Sequence, residues 1–77
     1  MDNRIVEIIN TMFEEAGRNK IDNLSLKASL REDLDMNSYA LAELTVRIEN
    51  EFGVDIFEDG YVYTIEDILT KIKGANE

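Results

Sequence analysis

Apolar residues along the chain fall into three helical stripes, with one long irregular stretch after the first. From Asp2 to about Ala16, Ile5, Ile8, Ile9, Met12, Phe13 and Ala16 share one face, with Glu7, Asn10, Glu14 and Glu15 opposite. This is the spacing of an amphipathic helix packed against a core. Asp2 or Asn3 can cap its start, and Gly17 followed by Arg18 and Lys20 supplies a stop signal. A second helix is predicted from Ser38 to Phe52, where Leu41, Leu44, Thr45, Ile48 and Phe52 cluster at helical spacing and Gly53 closes the run. The last stripe is Ile65, Ile68, Leu69 and Ile72. It opens on the box-like cap Thr64-Ile-Glu-Asp67 and ends at Lys71, Lys73 and Gly74, residues suited to a helix C-terminus.

Residues 17 to 37 make a connection too long to be structureless in a small domain. Ile21, Leu24, Leu26, Leu30, Leu34 and Met36 are expected to hold it against the helices. Ser29-Leu-Arg-Glu32 has capping-box spacing and predicts a short helical turn. The connection then crosses the bundle and delivers Ser38 to one end. After the second helix, Val54 to Phe57 reads as a short extended or turn segment. Glu58-Asp59-Gly60 reads as a turn, with a brief helical turn around 57 to 62.

The second helix carries a further pattern. Tyr39, Ala42 and Val46 gather opposite its core stripe, beside Glu43 and Asn50. A surface helix ordinarily keeps that side polar, so the stripe points to a partner-docking face. Glu43, Arg47 and Glu51 are spaced four apart and support the helix electrostatically.

Composition narrows the chemistry. The chain has 77 residues, expected to form a single domain over 1–77, with no Cys and no His. Neither a Ser–His relay nor a cysteine nucleophile can be assembled, so the residues point away from an enzyme. The absence of Cys is compatible with a cytoplasmic location, and no apolar run approaches membrane-spanning length. A net charge of −9 disfavours nucleic acid and anionic lipid and favours partners with basic docking patches. Asp33-x-Asp35-x-Asn37 matches the opening of an EF-hand loop. However, Ser38 stands where its Gly should be and Leu44 where its closing Glu should be, so no metal site is expected.

Ser38 lies where the irregular stretch meets the second helix. Asn37 or Ser38 can cap the free N–H groups there, and the helix start favours negative charge. A hydroxyl at that point is well placed to carry a phosphate and poorly placed to act alone as a nucleophile. It reads as a point of attachment.

The run Glu32-Asp-Leu-Asp-Met-Asn-Ser-Tyr-Ala-Leu-Ala-Glu-Leu44, followed by Ile48-Glu-Asn-Glu-Phe-Gly-Val-Asp-Ile56, resembles the acyl carrier proteins. That family typically shows Glu-Asp-Leu-Gly-x-Asp-Ser-Leu and then a Glu-Leu helix ending in Glu-Glu-Phe-Gly-x-x-Ile. The likeness spans essentially the whole chain. It implies an all-α fold, a small four-helix bundle with a long loop between helices 1 and 2 and a short third helix. It also implies a 4′-phosphopantetheine arm, derived from coenzyme A, on Ser38. The thiol of that arm would hold acyl intermediates as thioesters. The implied partners are a phosphopantetheinyl transferase and acyl- or aminoacyl-loading ligases and synthases, meeting a monomeric carrier. Glu43, Glu49 and Glu51 match acidic docking positions of the family's second helix, and Arg47 dilutes them. Docking is thus expected at Asn37, Tyr39, Ala42, Glu43, Val46 and Glu49. Asn37 replaces the usual Asp, Tyr39 the usual Leu, Asp35 the common Gly and Phe57 a frequent Pro, while Ala40 stands where fatty-acid carriers often have an acid. These departures favour a specialised discrete carrier of a polyketide, lipid or secondary-metabolite pathway. An aminoacyl or peptidyl carrier, or an unmodified helical interaction module, are the alternatives.

Overall fold

The computed structural model describes residues 3–22, 24–58, 60 and 62–76. Among them the amphipathic stripes become three helices: α1 (Asn3–Glu15), α2 (Ser38–Phe52) and α3 (Ile65–Asn76). Ile5, Ile9, Leu44, Ile48, Ile65 and Ile68 are all fully buried, so each helix buries the face its periodicity marks. No polar or charged side chain is buried among the described residues.

The helix ends follow from local chemistry. At the end of α1, Arg18 N–H donates to the Phe13 carbonyl at 2.7 Å and Gly17 N–H to the Glu14 carbonyl at 3.1 Å. This Schellman pairing needs a left-handed residue, and Gly17 takes it at φ 77°. The apolar contact that usually accompanies the motif is here a cation–π contact, Arg18 lying 3.9 Å from the Phe13 ring centre. Ala16, expected on the core face, is exposed because the chain has already left the helix. The expected start at Asp2 lies outside the described residues. Gly53 closes α2 at φ 71°, its N–H donating to the Glu49 carbonyl at 2.8 Å.

α3 does not stop at Gly74 but runs through to Asn76. A single glycine costs a helix only about 1 kcal/mol, too little to force an end where no left-handed turn is made.

The long connection is ordered by polar clips as well as leucines. Asn10, expected on the outer face of α1, is half-buried and grips Ile21 from both sides. Its Oδ1 accepts the Ile21 N–H at 2.8 Å and its Nδ2 donates to the Ile21 carbonyl at 3.2 Å. Leu30, Leu34 and Met36 are buried and Ile21 and Leu24 pack at the rim, whereas Leu26 is 38% exposed. Ala28 takes a buried place instead; as an alanine it gave little signal. The turn at 29–33 is capped by Ser29, whose Oγ accepts the Glu32 N–H at 3.1 Å. The reciprocal acid is Asp33, not Glu32: its carboxylate accepts the Ser29 N–H at 2.7 Å.

Residues 28–30 then lie against the start of α3. Leu30 N–H donates to the Tyr63 carbonyl at 2.8 Å, Ile65 N–H to Ala28 at 3.2 Å and Glu66 N–H to Leu26 at 2.9 Å. Ser29 and Thr64 form an isolated antiparallel bridge.

Where a short third helix was expected around 57–62, the described residues form a turn at 56–58. Glu58 N–H reaches the Asp55 carbonyl at 3.2 Å, and Asp55 Oδ1 accepts the Phe57 N–H at 3.0 Å. This local side-chain bond offers the backbone an alternative to continued helix. Asp59 and Tyr61, which the expected turn and helix include, lie outside the described residues.

The capping box of α3 forms as its spacing predicts. Thr64 Oγ1 accepts the Asp67 N–H at 3.2 Å, and the Asp67 carboxylate accepts the N–H groups of Tyr63 and Thr64 at 3.0 and 3.1 Å. Those bonds, led by the one from Tyr63, hold the Asp67 carboxyl below its ordinary value. A depressed carboxyl stabilises the fold fully above its unfolded pKa, and that stability is lost as pH falls through the folded value. Asp67→Asn, which keeps an acceptor oxygen and loses the charge, is therefore expected to cost about 0.3–1 kcal/mol at neutral pH. Urea midpoints of the two proteins should converge in acid, and a gap independent of pH would show that the charge has no part in it.

Candidate attachment site

The site is built where the connection hands the chain to α2. Leu34 and Met36 are both buried and Asp35 between them is exposed, at the point where the backbone turns toward α2. Asp35 does this in the left-handed region, at φ 53°, where Asp and Asn are tolerated better than other L-residues. Met36 N–H then donates back to the Leu30 carbonyl at 2.9 Å, closing the approach.

Asn37 is the N-cap. Its backbone is extended at φ −88° and ψ −178°, and its Oδ1 accepts the Ala40 N–H at 2.9 Å. Its carbonyl accepts the Leu41 N–H at 2.9 Å. Of the two residues able to cap, Asn37 thus takes the role and leaves Ser38 free of it. Ser38 is exposed as the first residue of α2, and its hydroxyl has no hydrogen-bond partner among the described residues. The N–H groups of Ser38 and Tyr39 likewise find no partner there, as expected of a first turn. A free hydroxyl beside open N–H groups at the positive end of a helix suits a phosphate ester, so the residues present fit a phosphopantetheine group.

Asn37→Asp adds a charge at the positive end of α2 without losing the cap. It is expected to stabilise the fold by about 0.3–1 kcal/mol at low ionic strength, fading as salt is added. Denaturant midpoints at low and high salt read this out. A loss of stability would mean that repulsion from Asp33 and Asp35 outweighs the dipole.

Beside the start of α2 opens a cleft of about 260 Å³, lined among others by Phe13, Ala16, Arg18, Asp35, Tyr39 and Ala40. The end of α1 contributes Met12 and Phe13 to its lining, residues the periodicity marks only as core. The EF-hand-like run makes no ion cage: Asp33 is engaged with the Ser29 N–H, and no cluster of acids able to hold a metal exists among the described residues.

Along α2, Tyr39 is 80% and Val46 58% exposed, and Ala42, Glu49 and Asn50 are exposed beside them. The second apolar stripe therefore faces outward. The three acids of the helix are not equivalent. Arg47 donates from Nε to Glu43 at 2.9 Å and from Nη2 to Glu15 at 2.5 Å, the same Nη2 lying 2.8 Å from the Glu43 carboxylate. The bond to Glu43, with that to Glu15 behind it, pushes the Arg47 guanidinium above its ordinary value. Arg4 pairs with Glu51 in the same way from α1. Glu49 makes no ion pair among the described residues.

Residues 4–60 match the family described as "Phosphopantetheine attachment site". Proteins named acyl carrier protein from two strains of Rickettsia bellii are 29% identical to this chain over 75 residues. The match covers 95% of this chain and 86% or 91% of theirs. An acyl carrier protein of Petrotoga mobilis is 38% identical over 56 residues, 73% of this chain and 65% of that one. Phosphopantetheine is the group such a domain holds. With a matching family over most of its length, the chain belongs to the acyl carrier protein family, whose members carry cargo rather than catalyse its reactions.

Proposed function

We propose that Ser38 bears the 4′-phosphopantetheine arm and that the chain is a discrete carrier presenting acyl groups to partner enzymes. The observation that carries this reading is the exposed Ser38 hydroxyl at the head of α2, left unengaged because Asn37 performs the capping. The arm supplies a terminal thiol that holds acyl groups as thioesters, chemistry this Cys-free chain lacks. The chain's own contribution is to fix the attachment point and offer an outward face for recognition. That face is Tyr39, Ala42 and Val46, with Asn37 next to the serine and Glu49 further along. On a surface of net charge −9, it suits a phosphopantetheinyl transferase and acyl-loading ligases or synthases with basic patches.

In this reading residues 1–77 form one carrier domain, monomeric and cytoplasmic, with the segment around 57–62 in the place of the third of four helices. No helix among the described residues is long and apolar enough to cross a membrane. Tyr39 at the serine's side and Asn37 before it, with no acid at Ala40, favour a dedicated partner set in a specialised pathway over general fatty-acid synthesis.

The test is a mass spectrum after incubation with coenzyme A, Mg²⁺ and a broad-specificity transferase, followed by loading with acyl and with aminoacyl donors. One arm per chain and loading by acyl donors is the expected result. Aminoacyl loading alone would overturn the acyl assignment, and no gain in mass would overturn the carrier itself.

A further inference from the structure

We propose that Arg47 withdraws Glu43 from partner recognition, so that a basic partner reads α2 through Glu49, on the same side of the helix as Ser38. The proposal rests on Ser38 being the attachment point. Ser38, Ala42, Thr45 and Glu49 follow the i, i+4, i+7, i+11 spacing of a single helix face. Glu43 and Arg47 lie toward α1, where Arg47 reaches Glu15. Arg47 and Glu43 are each about one-third exposed, at 30% and 34%. A partner cation approaching Glu43 must therefore displace a guanidinium already bonded to two carboxylates. Arg4 imposes the same condition at Glu51. Glu49, exposed and without an ion pair among the described residues, imposes none. At a rise of about 1.5 Å per residue it stands roughly 16 Å along the axis from Ser38. A partner that meets Ser38 at its reaction centre therefore needs its basic residue at that separation. Arg47 is in this sense a specificity-determining residue, since it turns one acidic docking position into a neutral flank.

The experiment compares wild type, Glu49→Gln, Glu43→Gln, Arg47→Gln and the double variant Arg47→Gln/Glu43→Gln. Binding of each unmodified protein to the broad-specificity transferase, without coenzyme A, is measured by calorimetry at low and high salt. Initial rates of mass gain are measured in parallel. Glu49→Gln should weaken binding about five- to tenfold at low salt, and Glu43→Gln by less than about twofold. Arg47→Gln should strengthen binding about three- to tenfold, a gain that salt removes and that the double variant loses. A merely structural role for Arg47 would change binding equally at all salt concentrations. Equal losses for Glu43→Gln and Glu49→Gln, or no gain for Arg47→Gln, would overturn the proposal. The expected binding pattern without any mass gain would instead overturn attachment at Ser38 and the separation measured from it, while supporting the unequal reading of Glu43 and Glu49.

Discussion

Ser38→Ala is expected to gain no phosphopantetheine under conditions in which wild type gains one per chain, while Ser25→Ala and Ser29→Ala still gain it. The structure gives each serine a different employment. Ser25 Oγ accepts the Lys27 N–H at 3.1 Å and Ser29 Oγ accepts the Glu32 N–H at 3.1 Å. Both hydroxyls are thus committed to turns within the connection. The Ser38 hydroxyl has no such partner among the described residues and projects at the head of α2. Because Asn37 caps the helix through its own side chain, loss of the Ser38 hydroxyl should leave the fold intact. An unchanged circular dichroism spectrum would separate loss of the site from loss of structure. Modification persisting in Ser38→Ala would place the arm elsewhere and remove the basis of the functional reading.

Leu44→Ala should destabilise the protein by about 2–5 kcal/mol, the range for a large-to-small change in a packed core. Leu44 is 0% exposed on the inner face of α2. In a domain this small, such a loss lowers the melting temperature by roughly 10 °C or more, a large share of the margin it has. Val46, two residues on and 58% exposed, gives the contrast. Val46→Glu should leave the melt nearly unchanged while weakening encounter with partner enzymes. Thermal melts of both variants decide it. Unfolding by Val46→Glu would mean that the outer stripe of α2 is packed after all.

The helices were legible because their apolar positions repeat at 3.6-residue spacing and their caps carry hydroxyl or amide side chains at fixed offsets. Thr64 with Asp67 and Gly17 with Arg18 are such cases. The connection was less legible. Its leucines announce burial but not which will succeed, so Leu26 was expected inside and Ala28 was not. Asn10 illustrates a deeper difficulty: a polar residue on a polar helix face gives no sign that its amide will pair with a backbone eleven residues away. At the site, the position of Ser38 followed from the helix start. The division of labour between Asn37 and Ser38 did not, because either residue type caps well. The pairing of Glu43 with Arg47 was legible in their four-residue spacing, but the second bond from Arg47 to Glu15, a residue of another helix, was not.

The short antiparallel clip between residues 28–30 and the start of α3 has a consequence for how the molecule breathes. Leu30 and Ile65 lie far apart in the chain, yet each donates its N–H across the same seam, to Tyr63 and Ala28. Neither bond can open to solvent without the other segment yielding. Fluctuations that expose one therefore belong to a single cooperative opening, not to independent fraying of a loop and a helix end. The connection is in this sense a strap tied to the first turn of α3.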